Sequence, residues 1–248
     1  MGTVLAIADK LETIVGIWGV GLAPTGDKDP YALRRHALGI CRLLLEKNLP
    51  LNLKQLIGLA KQQFSNLVLK VEVDEEVIYQ FILDRLKAYL KDQAVDGATF
   101  SPLEIDAVLS THPQKLNDLI ARLLAIRSFN QLPQAAALAG ANKRISNILK
   151  KVDGKVSTEI NPSLLTIAAE KNLYTALTQL QPRLDQKLQA QQLIDLLQDL
   201  VSLSDPVDQF FADVMVMDEN IELRNNRLAL LQRLHQQINL VADIGKLA

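Results

Sequence analysis

The sequence predicts an all-α fold, a multi-helix chain ending in a helical bundle, and three observations carry that prediction. Leucine is very frequent while Gly (11), Pro (9) and aromatics (4%) are sparse, a balance that favours helix over sheet. Apolar residues recur at three- and four-residue steps along most of the 248 positions. Asx-Pro and Ser-Pro pairs punctuate the chain where helices are expected to start. With 48% apolar and 22% charged residues the composition is that of a folded protein, long enough for one large domain or two smaller ones.

The first helix is predicted over Val4 to Trp18, where Val4, Ile7, Ala8, Leu11, Ile14, Val15 and Trp18 share an apolar face. That face is complete from the outset, so the chain is expected to be the C-terminal part of a longer subunit. Gly16, Gly19 and Gly21 then loosen the chain into a loop; with no strand before them and no Gly-Lys-Ser/Thr ending, they are turn residues and not a phosphate cradle. Asp29 as N-cap and Pro30 at the first helical position open a second helix. Leu33, Ala37, Ile40, Cys41 and Leu44 form its core side, Arg35 and Arg42 the opposite one, and it is expected to stop near Asn48 and Pro50. Asn52 caps a third helix carrying Leu56, Ile57, Ala60 and Phe64. Leu67, Leu69, Val71 and Val73 alternate with a period of two, but no partner run exists, so they are read as an extended connection. Asp74 caps a fourth helix, with Glu75 and Glu76 at its positive end and Val77, Ile78, Phe81, Ile82, Leu86 and Tyr89 buried. Lys91 to Thr99 is a loop. Ser101-Pro102-Leu103-Glu104 is a capping box leading a short helix to about Ser110, His112-Pro113 breaks it, and a further helix ends near Phe129.

From Pro133 to Val152 the run becomes alanine-rich. Leu138, Ala141, Ile145, Ile148, Leu149 and Val152 make one face, and Lys143, Arg144, Asn147, Lys150 and Lys151 gather on the other, the best basic patch in the chain. Such a face is either solvated surface or a contact for RNA. Asn161-Pro162 opens the next part, whose helices carry Leu173, Ala176, Leu177 and Leu180, then Leu193, Ile194, Leu197, Leu200 and Val201. Asp205-Pro206 restarts the chain into a core plug of Phe210, Phe211, Val214, Met215 and Met217. The last helix runs from about Ile221 with Leu223, Leu228, Leu231, Leu234, Ile238 and Val241 on one face. Arg227 projects onto that face and needs a carboxylate such as Asp213 or Asp218, or must snorkel to water. Arg224 flanks the stripe and is the better candidate for a phosphate contact.

Lys and Arg (27) nearly balance Asp and Glu (28), so any RNA contact must come from local patches. Cys41, the single cysteine, excludes an internal disulfide and a cysteine-rich zinc site and fits a reducing compartment. No apolar run is long enough to span a membrane and no signal-peptide layout precedes the first helix, so a cytoplasmic location is expected. His36, His112 and His235 lie far apart, and neither a catalytic triad, a Walker loop nor a dinucleotide fingerprint is present. No catalytic residue and no metal ligand is assigned.

The segments ADKLETIVGIWGVGLAPTG and KDPYALRR, followed by AAALAGANKRISNILKK, FFADVMVMDENIELRNNRLALLQRL and a VADIGKL tail, resemble the bacterial glycyl-tRNA synthetase beta-subunit family. The similarity spans nearly the whole chain and is densest outside Gln63 to Ala125 and Val152 to Asp205. It implies three parts: residues 1–50 as the end of an HD-like domain, 51–132 as a helical linker region, and 133–248 as a DALR-type anticodon-binding bundle. It also implies tRNA recognition within an alpha2-beta2 ligase, with glycine tRNA and the alpha subunit as partners and neither membrane nor DNA. No cofactor is expected in this part, ATP and Mg being used in the alpha subunit, and the chain alone is expected to be inactive. The tRNA-binding candidates are Lys143, Arg144, Lys150, Lys151 and Arg224, with Arg34, Arg35 and Arg42 in second rank. Ala8-Asp9 resembles the last metal-binding helix of HD-type phosphohydrolases, but the histidines that such a site needs are missing, and Asp9 receives no catalytic role. A protein-binding helical scaffold without RNA recognition is the rival expectation.

Overall fold

A computed structural model describes residues 2–66, 72–92, 94, 97 and 99–248 of the chain. It is all-α, as expected: eleven α-helices and three short 3-10 turns, with no strand, among the described residues. Of the expected extended connection, Leu67, Leu69 and Val71 lie outside the described residues and Val73 is buried; the loop from Lys91 to Thr99 is described only in part. The chain forms two compact units, Met1–Ile105 with His112–Ile120, and Asp106–Thr111 with Ala121–Ala248.

In the first unit, α1 (Gly2–Gly19) packs against α2 (Leu33–Glu46) and α3 (Leu53–Gln62), and α4 (Glu75–Asp92) packs against α2 and α3. The predicted stripe of α2, from Leu33 through Ala37, Ile40, Cys41 and Leu44, is fully buried. Each large apolar side chain enclosed this way contributes about 1.5–3 kcal/mol. The start of α2 differs from expectation. Asp29 and Pro30 lie in a turn closed by the Ala32 N–H on the Asp29 carbonyl (3.1 Å), and Ala32 adopts φ +55°, so the helix begins at Leu33. Asp29 still caps it, from outside: its carboxylate accepts from the N–H groups of Leu33 (2.8 Å) and Arg34 (3.0 Å). Gly16 is not a loop residue. It lies within α1 beneath the Phe64 ring, where a Cβ would come within 3.0 Å of the ring edge.

The buried face of α4 is rotated from the predicted one: Ile78, Ile82 and Leu86 are buried as expected, joined by Tyr79, Leu83 and Leu90. Val77 is exposed, and Phe81 and Tyr89 are half-buried, Phe81 meeting Trp18 edge-on with 5.1 Å between ring centroids. Asn52 caps α3 through the Gln55 N–H (3.1 Å) and Asp74 caps α4 through the Glu76 N–H (2.8 Å). The capping box opens α5 (Pro102–Leu109) with both bonds formed, Ser101 N–H to Glu104 (2.7 Å) and Glu104 N–H to Ser101 Oγ (3.2 Å). His112, at φ +51°, ends the run, and α6 (Leu119–Phe129) follows.

The second unit is built on α7 (Ala135–Leu149), α8 (Ala168–Gln189), α9 (Leu193–Leu200), α10 (Ser204–Asp213) and α11 (Ile221–Ile238). The α8 helix packs against α9, α10 and α11, while α7 packs against α10, α11 and the closing 3-10 turn Ile244–Leu247. Arg227 is 3% exposed and does not snorkel. Its Nε lies 2.5 Å from Glu170 Oε1, and a terminal nitrogen reaches Asp218 Oδ2 (2.6 Å) and the Met215 carbonyl (2.9 Å). The other oxygen of Glu170 accepts the N–H groups of Thr166 (2.8 Å) and Ile167 (2.9 Å), capping α8. The expected core plug is half right: Phe210 and Val214 are buried with Val216, Phe211 is half-buried, and Met215 and Met217 are exposed because the 214–217 segment leaves α10 extended and alternates its side chains.

Glu170→Ala strands a buried guanidinium and uncaps α8, and is expected to cost about 3–5 kcal/mol. Replacing Glu170 and Arg227 together with methionine recovers much of that loss. Urea unfolding followed by far-ultraviolet circular dichroism reads both, since Trp18 reports only on the first unit. A cost under about 1 kcal/mol for Glu170→Ala, the range of a solvent-exposed pair, rules the clamp out as a structural tie.

Candidate nucleic-acid interface

The basic face is a property of α7, and its partners fix which way it points. Asn142, fully buried, donates to Asn239 Oδ1 (2.9 Å) and Asp243 Oδ1 (3.2 Å). One turn on, Ser146 Oγ lies 2.8 Å from His235 Nε2. Numbers rise along α7 while they fall along α11, so the two helices run antiparallel. With Leu138, Asn142 and Ile145 buried, the 100° step of the helix turns Lys143, Arg144, Asn147, Lys150 and Lys151 outward, and all five are exposed. Ala141, Ile148, Leu149 and Val152, expected in the core, are only half-buried, because the buried stripe is centred on Asn142.

The four predicted cations of α7 have different surroundings. Lys143 Nζ donates to the Ala248 carbonyl (2.8 Å). The Arg144 guanidinium lies 4.0 Å from the centre of the Phe211 ring of α10. Lys150 follows the last helical residue and Lys151 comes next, where positive charge complements the helix C-terminus. Arg224 is half-buried in the first turn of α11, about two turns beyond the residues of that helix that this register sets opposite Lys150. Arg34 and Arg35 belong to the first unit: Arg34 donates to the Gly26 carbonyl, which ties it to the turn before α2, and Arg35 is exposed. Arg42 pairs with Glu46 (2.7 Å).

A shallow groove runs between α7 and α10, lined by Gly140, Ala141, Arg144, Asp208, Phe211 and Ala212. Phe211 therefore sits at the surface and not in the core plug that its apolar character suggests. The buried stripe of α10 runs through Val207 and Phe210 and on to Val214, which leaves Phe211 half-buried at its edge. Glu170 and Asn142 carry no comparable local signal, being polar residues whose burial depends on partners distant in sequence.

Other chemistry finds no support here. Burial pushes the Cys41 thiol up to about 12, and it donates to the Ile82 carbonyl (3.6 Å), so it is a packed thiol and not a nucleophile. Asp9 is exposed on α1. Among the described residues no group of three or more His, Cys, Asp or Glu side chains is placed to hold a metal ion, and no helix is long and apolar enough to cross a membrane.

Comparison with known proteins assigns the two halves separately. A family profile described as glycyl-tRNA synthetase beta subunit matches residues 1–110, and one described as DALR anticodon binding domain matches residues 138–244. Glycine–tRNA ligase beta subunits are 50% identical over 247 residues in Ralstonia nicotianae and in Leptothrix cholodnii, and 48% identical over 248 residues in a Janthinobacterium species. The chain belongs to the glycyl-tRNA synthetase beta-subunit family. Each alignment covers 100% of this chain and 34% of the relative, so the chain spans about a third of the length of these beta subunits. Lys143, Arg144, Lys150, Lys151 and Arg224 fall within the anticodon-binding match, Arg34 and Arg35 within the other.

His235, which sets the register of this face, has a proton affinity below its ordinary 6.5, chiefly through burial and further through Lys150, with Asp243 opposing. A depressed histidine contributes stability that is complete above the unfolded value and is lost as pH falls through the folded one. Urea unfolding between about pH 7.5 and 5.5 is therefore expected to show falling stability, and His235→Gln to flatten that part of the profile. An unchanged slope in the variant excludes His235 as its source.

Proposed function

We propose that this chain is the tRNA-recognition part of a glycyl-tRNA synthetase beta subunit. The observation that carries the proposal is the coincidence of the anticodon-binding match, 138–244, with the bundle whose α7 turns a row of cations to solvent. Backbone phosphates would lie over Lys143, Lys150 and Lys151, with Arg224 extending the contact at the start of α11. In this reading the chain works in the cytoplasm as part of an alpha2-beta2 ligase that joins glycine to its tRNA. ATP and Mg are used in the alpha subunit, and this chain contributes recognition and no bond-making group. The 1–50 stretch then corresponds to the end of an HD-like domain and 51–132 to a linker region.

Gel-shift titration tests the proposal. Glycine tRNA is expected to bind more tightly than a non-cognate tRNA, with an affinity that falls as salt rises. Changing Lys143, Lys150 and Lys151 together to alanine should flatten the slope of log affinity against log salt by about two, at roughly 0.7 for each single-strand phosphate no longer neutralised. Equal binding to both tRNAs, or none that responds to salt, favours the protein-binding scaffold instead.

A further inference from the structure

In the first unit, α4 is apolar around more of its circumference than the core takes up. Ile78, Ile82 and Leu86 are buried, while Val77, Phe81, Asp84 and Ala88 follow one another at three- and four-residue steps along a neighbouring face. On that face Val77, Asp84 and Ala88 are exposed and Phe81 is half-buried. The half-buried Trp18, near the end of α1, meets Phe81 edge-on, and these two rings with Val77 make the apolar floor of an open groove. Asp74, Glu76 and Asp84 stand around the groove, and no cationic side chain lines it. Two of the three carboxylates are engaged: Glu76 is met by Lys54 of α3 (2.6 Å), and Asp74 accepts the Glu76 N–H (2.8 Å). Asp84 has no ion-pair partner among the described residues, so the groove carries uncompensated negative charge beside exposed apolar surface.

We propose that this face of α1 and α4 is a docking groove for a basic amphipathic helix of a partner protein, whose apolar side chains cover Val77, Phe81 and Trp18 and whose lysine or arginine pairs with Asp84. Val77 to Asp84 is two helical turns, about 10 Å, the span over which a helix laid alongside presents anchors at i, i+3 or i+4, and i+7. Charge selects among the occupants that an apolar face would otherwise admit. RNA phosphates are repelled by the three carboxylates, and a second copy seated face to face would set those carboxylates against their own kind. A cation with an apolar flank gains twice, from the ion pair at Asp84 and from the faces of the aromatic rings. The inference stands apart from the tRNA-recognition proposal and concerns the other unit of the chain.

Trp18 is the single tryptophan of the chain and lies in the groove, so its emission reports occupancy directly. The probe is a synthetic leucine–lysine amphipathic helix of about five turns, with the same peptide carrying glutamate for lysine as control. The lysine peptide is expected to shift Trp18 emission to the blue, saturably, and to bind about tenfold more tightly than the control. Asp84→Lys should weaken it about fivefold and Val77→Asp about tenfold; both positions are exposed, and circular dichroism verifies that the variants fold. Equal affinity for the two peptides, an unmoved Trp18, or an affinity indifferent to Asp84→Lys overturns the proposal. So does self-association in sedimentation equilibrium that Val77→Asp abolishes, which assigns the face to a second copy, or a Trp18 shift on adding glycine tRNA alone that the same variant removes, which assigns it to RNA. Finally, Cys41 is buried, so a Val77→Cys thiol is the one open to maleimide on this chain; its protection within the longer beta subunit, with no partner added, gives the groove to a segment of that subunit and overturns the proposal as well.

Discussion

A guanidinium taken down to 3% exposure inside a helical bundle loses several kcal/mol of hydration unless acceptors replace the water. In the second unit those acceptors arrive from separate segments: Glu170 from the first turn of α8, Asp218 from the turn before α11, and the Met215 carbonyl from the extended exit of α10. None is local to Arg227 on its own helix. The start of α8, the exit of α10 and the entry of α11 must therefore be in place together. Glu170 then serves two purposes at once, since the oxygen not used by Arg227 closes the N-terminus of α8. Asp218 is held below the usual carboxylate range, first by the Asn220 N–H and then by Arg227, so that carboxylate stays charged across the neutral range.

Much of this is legible in the sequence because it is written in local spacing. The α2 stripe, the Asn52 and Asp74 caps, the Ser101–Glu104 box and the breaks at Asn48 and His112 each depend on residues within one or two turns of each other. Arg227 can be read as buried, and Asp218 named among its partners, because Asp218 is nine residues away. Glu170, fifty-seven residues away, cannot. The same limit applies to Asn142: nothing near it in the chain announces that Asn239 and Asp243 will satisfy its amide. The displaced start of α2 has a different cause. Asp-Pro favours a helix start, but Ala32 in a left-handed conformation inserts one more turn first, and the Asp29 carboxylate reaches across it.

The candidate site is legible as a face and not as a site. Spacing alone puts Lys143, Arg144, Lys150 and Lys151 on one side of α7, and they are exposed there. What the face touches is set by the polar contacts on its far side, Asn142 with Asn239 and Asp243, and Ser146 with His235, which lock α7 against α11 in one register. An apolar α7 seam could slide by a turn at modest cost; a buried amide with paired partners cannot, because sliding would leave it unsatisfied. The polar seam thus fixes the cations along the bundle surface.

A formal net charge of −1 looks unsuited to a polyanionic partner until charges are taken helix by helix. Four exposed cations lie within about nine residues on α7 and just past its C-terminus, while α10 exposes Asp205, Asp208 and Asp213. Neighbouring charges one helical turn apart are closer than the screening length of about 8 Å at physiological salt, so a strand laid along α7 responds to its nearest cations more than to the sum over the protein. In the proposed tRNA-binding role the acidic α10 would confine that strand, since phosphates are favoured on one side of the α7–α10 groove and opposed on the other. Arg144 stands on that boundary. Its guanidinium lies on the Phe211 ring, so its charge is held at a fixed place on that boundary.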